Sequence, residues 1–406
     1  MGIRSARVHR NMKTVLIESL QKAIREEGLD GWFFCNFRHR DALSDEILQI
    51  GNASNSRYWF YAVPANGEPL KIIHSVEPEA INDLPGKKVF YVGRDELVKA
   101  LEPLAGKTWG VNSSEELAAV SYLEAGMAAV LKNAGLRLVS AASLIQRVKS
   151  LLDDEGIACH ERAAVHLYEI VNIAWDFVRK NYNDNKTLFE GDIQRLMMDE
   201  MEKRDINPNN PAIIAAGINS GNPHYSFSGR GAQIREGDII QFDLWAKEKQ
   251  QNAVYADISW AGVYAKKTAG NPVQAEAEKR FETLIAAREG AVSFINDELA
   301  AGRKIPGASV DIRAREIIES RGYAGGLKHR TGHGIDTEIH GSGVNIDSIE
   351  FRDTRCLLEG SCFSIEPGIY FSDFGMRTEI DVYIHNNRAH VSGNPHKRQS
   401  ALLYCG

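Results

Sequence analysis

The chain has 406 residues, 43% hydrophobic and 25% charged, which gives room for two or three domains of ordinary soluble globular composition. Its net charge of −6, without any dense basic stretch, argues against a nucleic-acid partner, and no run of about 18 apolar residues exists to span a membrane. The five cysteines form no CxxC pair and no disulfide-like spacing, which suits a reducing compartment; Cys356 and Cys362 read as small buried hydrophobes. A basic N-terminus (Arg4, Arg7, Arg10, Lys13) has no apolar core behind it and so does not read as a secretory signal; the cytoplasm is the expected location.

Residues 13–27 carry Val15, Leu16, Leu20, Ala23 and Ile24 at helical spacing and stop at Gly28. Short apolar runs follow at Trp32–Cys35, Tyr58–Val63, Leu70–Ile73, Val89–Val92, Thr108–Val111 and Leu136–Val139, with amphipathic segments near 94–104 and 120–133. This alternation predicts an α/β domain over residues 1–152, and nothing in it resembles a phosphate loop or a nucleophile elbow. From about 155 the texture changes. A long helix over about 158–181 stops at the polar turn Asn181–Asn185, and a second helix runs to about 204. The breaker Asn207–Pro211 precedes a buried strand, Ala212–Ala216. Strands near 238–247 and 252–264, helices of about 272–299 and 309–320, and a Gly-rich, strand-like C-terminal third complete a second domain, residues 153–406.

Five side chains of that second domain stand out: Asp243, Asp257, His333, Glu366 and Glu379, each in a short apolar or Gly-flanked segment. Carboxylates in apolar segments are costly to bury unless they are paired or bind a cation. Four carboxylates and one imidazole make a natural shell for two divalent ions. Asp243 and Asp257 lie in two strands joined by Lys247–Asn252, which reads as a hairpin tip, and a hairpin brings both carboxylates to one face. Gly332 and Gly334 leave little bulk around His333. Taken singly, each has a plainer reading. Asp243 and Asp257 could cap strand ends, His333 could be a loop histidine, and Arg377 could simply pair with Glu379, two residues on and on the same strand face.

In this order and in these contexts, Asp243, Asp257, Gly332-His333-Gly334, Ile365-Glu366-Pro367-Gly368 and Arg377-Thr378-Glu379 resemble the M24 "pita-bread" metallopeptidases, the group of methionine aminopeptidase, aminopeptidase P, prolidase and creatinase. The resemblance covers roughly 155–400 motif by motif and, more loosely, the N-terminal domain, where Leu29–Phe34 looks like the start of a creatinase-type α/β domain. It implies an α/β N-terminal domain followed by an α+β pita-bread catalytic domain. It also implies two divalent metal ions, manganese first with cobalt, zinc or iron as alternatives, held by Asp243, Asp257, His333, Glu366 and Glu379. The reaction implied is hydrolysis of the Xaa-Pro bond, in dipeptides or at peptide N-termini, by a metal-activated hydroxide. By the same resemblance Glu366 also shuttles the proton. His340, seven residues after His333, and His224, in Asn222-Pro223-His224-Tyr225, would by the same resemblance hold the scissile carbonyl and the tetrahedral intermediate. Arg377 would, on that resemblance, orient a carboxylate of the protein or of the substrate. Tyr225, His329 and Asp336 lie nearby and receive no role. The partner implied is a peptide substrate, and a homodimer is expected, with Arg38–Asp41 a candidate contact to the other copy's pocket or, more plainly, a solvated loop.

The same fold admits a small-molecule amide or amidino hydrolase of the creatinase type, and a non-catalytic binding module; a carboxylate-pair glycosidase would leave His224, His333 and His340 without a task. One departure bears on the site. The family usually separates the two aspartates by eleven residues, and here they are fourteen apart. The longer tip costs only about 0.5 kcal/mol of closure entropy, but an odd change in spacing requires a bulge or an odd-length loop to keep register. The tip, Lys247–Asn252, is expected to absorb the change and could reach over the site to alter what enters.

Overall fold

In the computed structural model, which describes residues 2–51, 55–393 and 398–406, the apolar runs of the N-terminal part become one mixed sheet. Its strands are β1 (Gly31–Asn36), β2 (Trp59–Pro64), β3 (Leu70–His74), β4 (Lys87–Tyr91), β5 (Thr108–Val111) and β6 (Arg137–Ser140), in the order β4-β3-β2-β1-β5-β6. The two-residue period of β1 and β2 sends Trp32, Phe34, Trp59 and Tyr61 to one face and Phe33 and Phe60 to the other. Helices α1 (Gly2–Glu26), α2 (Ala42–Ile47) and α5 (Ala142–Ile145) cover the first face, while α3 (Arg94–Leu101) and α4 (Ala125–Asn133) cover the second. The first helix starts at Gly2, well ahead of the apolar periodicity. Lys13, which reads in sequence as part of a basic terminus, is fully buried and donates Nζ to Leu48 O at 2.6 Å and Gln49 O at 2.7 Å. Within Arg38–Asp41, Asp41 caps α2 by accepting from Ser44 N at 2.8 Å, and Arg38 and Arg40 lie over the Phe37 ring.

The chain divides into Met1–Lys149 and Ser150–Gly406, slightly ahead of the boundary read from sequence. The reason is local: Ser150 Oγ donates to Asp336 at 3.0 Å and Leu152 N to Gly360 O at 2.8 Å, so 150–152 belong with the second unit. There α6 (Asp154–Asn183) opens on an Asp153 cap to Gly156 N, with Asp154 and Glu155 in the first turn where the helix dipole favours them. After α6 come β7 (Leu188–Phe189), α7 (Glu190–Lys203), β8 (Ile206–Asn207), β9 (Ile213–Ala216) and β10 (Gln233–Ile234). They lead to a long antiparallel pair, β11 (Ile239–Glu248) and β12 (Ala256–Val263). Ile240, Phe242 and Leu244 of β11 and Ala256, Ile258 and Trp260 of β12 pack with Leu167, Ile170 and Ala174 of α6. The alternate residues, Gln241, Asp243 and Trp245 with Asp257 and Ser259, therefore face the other way. A second core joins α8 (Pro272–Ala300) and α9 (Gly307–Ser320) to β13 (Cys362–Ile365), β14 (Gly368–Tyr370), β15 (Gly375–Arg377), β16 (Ile380–His385) and β17 (Arg388–Val391). A last strand, β18 (Leu403–Tyr404), pairs in parallel with β12.

Pairing between β11 and β12 is continuous from Ile239↔Val263 to Ala246↔Ala256, so no bulge is present and the odd-length connection 247–255 keeps the register. The connection does not reach over the cleft, contrary to the expectation for its tip. Ala253, Val254 and Tyr255 are buried with Cys159, Ile335 and Cys362, and Lys249 pairs with Asp205 (3.0 Å) and Glu202 (3.2 Å) at the end of α7. Lys247 reaches sideways, donating to Thr337 O at 2.6 Å.

Beneath this connection His160 of α6 is fully buried, with Nδ1 2.6 Å from Tyr255 O and Nε2 2.6 Å from Ser392 Oγ. A carbonyl only accepts, so Nδ1 carries the proton and Nε2 accepts from the Ser392 hydroxyl. Burial lowers its pKa to about 4. Between pH 6.5 and 4 the unfolded chain therefore binds a proton that the folded chain refuses, and the stabilisation present above pH 6.5 is lost as pH falls, on the order of 3 kcal/mol. His160→Gln is expected to lower stability at pH 7 but to flatten this part of the profile; equal slopes for both proteins in urea titrations at pH 6.5, 5.5 and 4.5 would discount the effect. Lys13→Ala leaves the buried Leu48 carbonyl and the part-buried Gln49 carbonyl without their donor and is expected to reduce stability by about 2–4 kcal/mol, measured as a lower denaturation midpoint.

Candidate active site

The inward face of the β11–β12 pair starts the site. Asp243 stands opposite Ser259 and Trp245 opposite Asp257, so the two aspartates are diagonal neighbours on one face. A second ladder places the histidine and the first glutamate. Ser364 N donates to His333 O at 2.9 Å, Ile335 N to Cys362 O at 2.9 Å and Glu366 N to Thr331 O at 2.7 Å, so the segment 331–335 runs alongside β13. This also explains the flanking glycines, whose purpose is close packing and not open space around the imidazole. A β-carbon on Gly332 would lie 2.0 Å from Ser364 O, and one on Gly334 would lie 2.7 Å from the Gly343 carbonyl carbon. Glu379, just before β16, bridges to Ser259 of β12, its N donating to Ser259 O at 3.3 Å.

All eight side chains singled out from sequence, His224, Asp243, Asp257, His333, His340, Glu366, Arg377 and Glu379, line one cleft of about 450 Å³. Asp257, His333 and Glu379 are its buried floor and offer ligand atoms that all lie within 4.8 Å of one another. Asp257 Oδ1 and Glu379 Oε1 are buried with no hydrogen-bond partner. Burial raises the pKa of both carboxyls well above the ordinary range, and the charges of Asp243 and Glu366, with that of Asp257 for Glu379, push them further. Burial likewise lowers that of His333, against the pull of Glu366. Orphaned carboxylate oxygens beside a buried neutral imidazole nitrogen are a poor arrangement for protons and a good one for a cation, and a set rich in oxygen with one nitrogen fits divalent ions of the Mn²⁺–Zn²⁺ range.

Asp243 and Glu366 flank this floor. Asp243 forms an ion pair with Arg377 Nη2 and lies 3.1 Å from Ser259 Oγ, which is 2.7 Å from Glu379. Arg377 also donates Nε to Ser259 Oγ at 2.9 Å and Nη1 to Tyr370 OH at 3.1 Å. Of the two readings left open for it, orienting a carboxylate of the protein is the one its contacts match. Glu366 is nearer solvent, its side chain 13% exposed, with Oε1 3.6 Å from His333 Nε2. His224 and His340 are exposed at the rim. The His340 ring lies 4.4 Å from that of His333, and the charge of that neighbour, ahead of that of Arg330, presses its pKa down to about 3.

Several residues of the site carry no sequence signal of their own. Tyr370 and His329 extend the Arg377 network, His329 Nε2 lying 3.0 Å from Tyr370 OH. Asp381 Oδ2 accepts from Asp257 N at 2.7 Å, while its Oδ1 is another orphan. Buried Asp336 accepts from Glu338 N and Ser342 N, each at 2.9 Å, and so closes the turn that carries His340. Glu190 does the same for His224, accepting from Ala216 N (2.9 Å), Asn219 Nδ2 (3.0 Å), Tyr225 OH (3.0 Å) and Ala232 N (2.7 Å). The two-residue spacing of Asp381 from Glu379 and the acid at the start of α7 were the available hints. Neither distinguishes a support from a surface acid without the fold.

Known proteins share this arrangement of chain. An Xaa-Pro dipeptidase of Lactobacillus helveticus is 29% identical over 239 residues, 59% of this chain and 58% of that protein. One from Pyrococcus furiosus is 33% identical over 178 residues, 44% of this chain and 45% of its own length. The chain thus spans less than two thirds of the length of the curated relatives it matches. Among solved structures, dipeptidase PepE from Mycobacterium ulcerans superposes with a TM-score of 0.68 at 19% identity, covering 98% of both chains, and has the same two-part fold with a pita-bread C-terminal domain. Residues 158–386 match the profile of metallopeptidase family M24, a span that holds every side chain of the cleft floor, and the chain belongs to that family.

Proposed function

We propose that the protein hydrolyses the Xaa-Pro peptide bond, in dipeptides or at the N-terminus of short peptides, with two divalent metal ions held by Asp243, Asp257, His333, Glu366 and Glu379. The observation that carries this reading is the pair of buried, donor-less oxygens, Asp257 Oδ1 and Glu379 Oε1, beside His333. Bound there, divalent ions would supply Lewis acidity to the attacking water and the substrate carbonyl.

The chain's own groups handle the proton and the carbonyl. Glu366 reaches solvent while touching the floor, so it is the carboxylate able to take a proton from water and return it to the leaving nitrogen. The ring N–H groups of His224 and His340 stand at the rim, where they would donate to the scissile carbonyl and the oxyanion that develops on it. Buried Arg377 holds Asp243 through its guanidinium and leaves the cleft floor fixed. An Xaa-Pro bond is a tertiary amide without an N–H, and no step in this scheme needs one. Membership of family M24 and the relatives named Xaa-Pro dipeptidase support the substrate class. The oxygen-rich donor set favours manganese, and a homodimer in the cytoplasm belongs to the same reading by similarity; no described helix is long and apolar enough to cross a membrane.

Protein stripped with chelator is expected to cleave Ala-Pro or Ala-Pro-Ala only after Mn²⁺, Co²⁺ or Zn²⁺ is restored, followed by chromatography of the products. Two bound equivalents of metal with neither peptide cleaved would overturn the substrate and favour a small-molecule amide hydrolase. Glu366→Gln is expected to lower kcat at least about 100-fold with an unchanged circular dichroism spectrum; near-normal turnover would remove the glutamate from proton transfer.

A further inference from the structure

Five of the thirteen large apolar side chains that stand exposed among the described residues, Val76, Val89, Phe90, Val92 and Val98, fall on β4 and the segments flanking it. This strand is the last of its sheet: it pairs in parallel with β3, and no described strand takes its other side. Two bonds bracket the pair and fix how its backbone points. Lys87 N donates to Pro69 O at 2.9 Å and Tyr91 O accepts from Ser75 N at 3.0 Å, so residues 87, 89 and 91 turn their amides to β3. By the two-residue period, Lys88 and Phe90 turn theirs outward. The outward row stops at Val92, whose N donates to Glu96 Oε2 at 2.7 Å.

Exposed edges are ordinarily blunted by a proline, a bulge or a projecting lysine. β4 has no proline, and its register with β3 is unbroken from Leu70↔Lys87 to His74↔Tyr91. Lys88, the charge placed to guard the edge, is folded back. Its Nζ donates to Pro78 O and Asn82 Oδ1, each at 2.8 Å, and lies 5.7 Å from the Phe90 ring centroid. That leaves Phe90, 48% exposed, beside outward peptide groups. The two ends of the strand differ in charge. Lys87 is exposed at its start, and beyond its end Arg94 is followed by Asp95 and Glu96, of which Glu96 turns back onto Val92. An antiparallel copy sets the basic end of one strand against the acidic end of the other, so the edge is complementary to itself.

We infer that the outer edge of β4 joins the same edge of a second copy, antiparallel about a two-fold axis at Val89, and so continues the sheet across a dimer. Lys88 and Phe90 of the partner subunit then exchange both of their backbone bonds, and the symmetry repeats the exchange. Val89 meets Val89 of the partner subunit on the face that Tyr91 shares with α3, where Val98 adds apolar surface. Lys87 comes beside Tyr91 and Glu96 of the partner subunit. The inference rests on the homodimer of the reading above and not on its chemistry, so assembly and peptide cleavage can fail separately.

The test uses full-length protein and its Val89→Cys, Val92→Cys and Val89→Asp variants, all at exposed positions. Sedimentation velocity is expected to show a wild-type dimer. Val89→Cys should link its two copies under mild oxidation, because the axis brings both sulfurs together at a pair without backbone bonds. Val92→Cys, at a more exposed position, should stay as unlinked as the wild type with its five native cysteines, since six residues along the paired strands set its sulfurs about 20 Å apart. Val89→Asp places like charges opposite one another and should raise the dimer dissociation constant at least about tenfold, with an unchanged circular dichroism spectrum. A wild type that stays monomeric would overturn the inference and leave the edge to an extended segment of another protein. A dimer in which Val89→Cys and Val92→Cys link to the same extent, or not at all, would overturn it as well, because its interface would lie elsewhere.

Discussion

Asp257, Glu379 and Asp381 are brought together where β12 meets the start of β16, and each retains one buried oxygen that no donor reaches. Burial and the neighbouring charges raise all three carboxyl pKa values well above the ordinary range. Interior anions are tolerated only when something compensates them, and the surrounding structure leaves them no way to turn outward. The outer face of β11 and β12 is pinned by Phe242, Leu244, Ile258 and Trp260 against α6, so the two-residue period of the strands drives Asp243 and Asp257 inward. Ile380 and Val382, in the second core, do the same for Glu379 and Asp381. The apolar layers thus hold the acids in a position they would otherwise leave. A cation bound there would compensate these carboxylates in place of protons, which is the ground for reading the cleft as a candidate cation site.

From floor to rim the cleft divides its tasks by solvent access. The floor, Asp257, Glu379 and His333, is dry and suited to holding charge in place. The rim, Glu366, His224 and His340, meets water and can exchange protons or accept a substrate group. Between them runs a network from His329 through Tyr370 and Arg377 to Asp243 and Ser259. Because Arg377 is spent within this network, its positive charge serves the protein's own carboxylates. The supports lie further out. Glu190 ties down the segment bearing His224, and Asp336, braced by Lys247 at the neighbouring Thr337 carbonyl, closes the turn bearing His340.

Much of this was legible in the chain. The alternation Phe242-Asp243-Leu244 and the apolar runs around Asp257 mark half-buried strands with an acid on the inner face, and the helices near 158–181, 272–299 and 309–320 emerge within a few residues of their expected limits. The Gly-His-Gly and Ile-Glu-Pro-Gly contexts marked side chains that the fold brings into one cleft, although the glycines serve close packing against Ser364 and Gly343. Less visible were the start of α1 at Gly2, the buried role of Lys13, and the path of the 247–255 connection, which turns to α7 and not over the cleft. Each depends on partners far along the chain, and a lysine in a buried niche has the same local sequence signature as one in solvent.

By itself the sequence determined which residues are acids, imidazoles and guanidiniums, and, through periods of two and 3.6 residues, which of them share a face with apolar neighbours. Those are properties of adjacent residues and survive without the fold. Only the tertiary structure decided which carboxylate oxygens have no donor and that Asp243 claims Arg377. Such facts are set by distances between Asp243 and Arg377, or between Ser259 and Glu379, segments more than a hundred residues apart. A contact of that kind is fixed by the packing of whole layers, and no local pattern encodes its length.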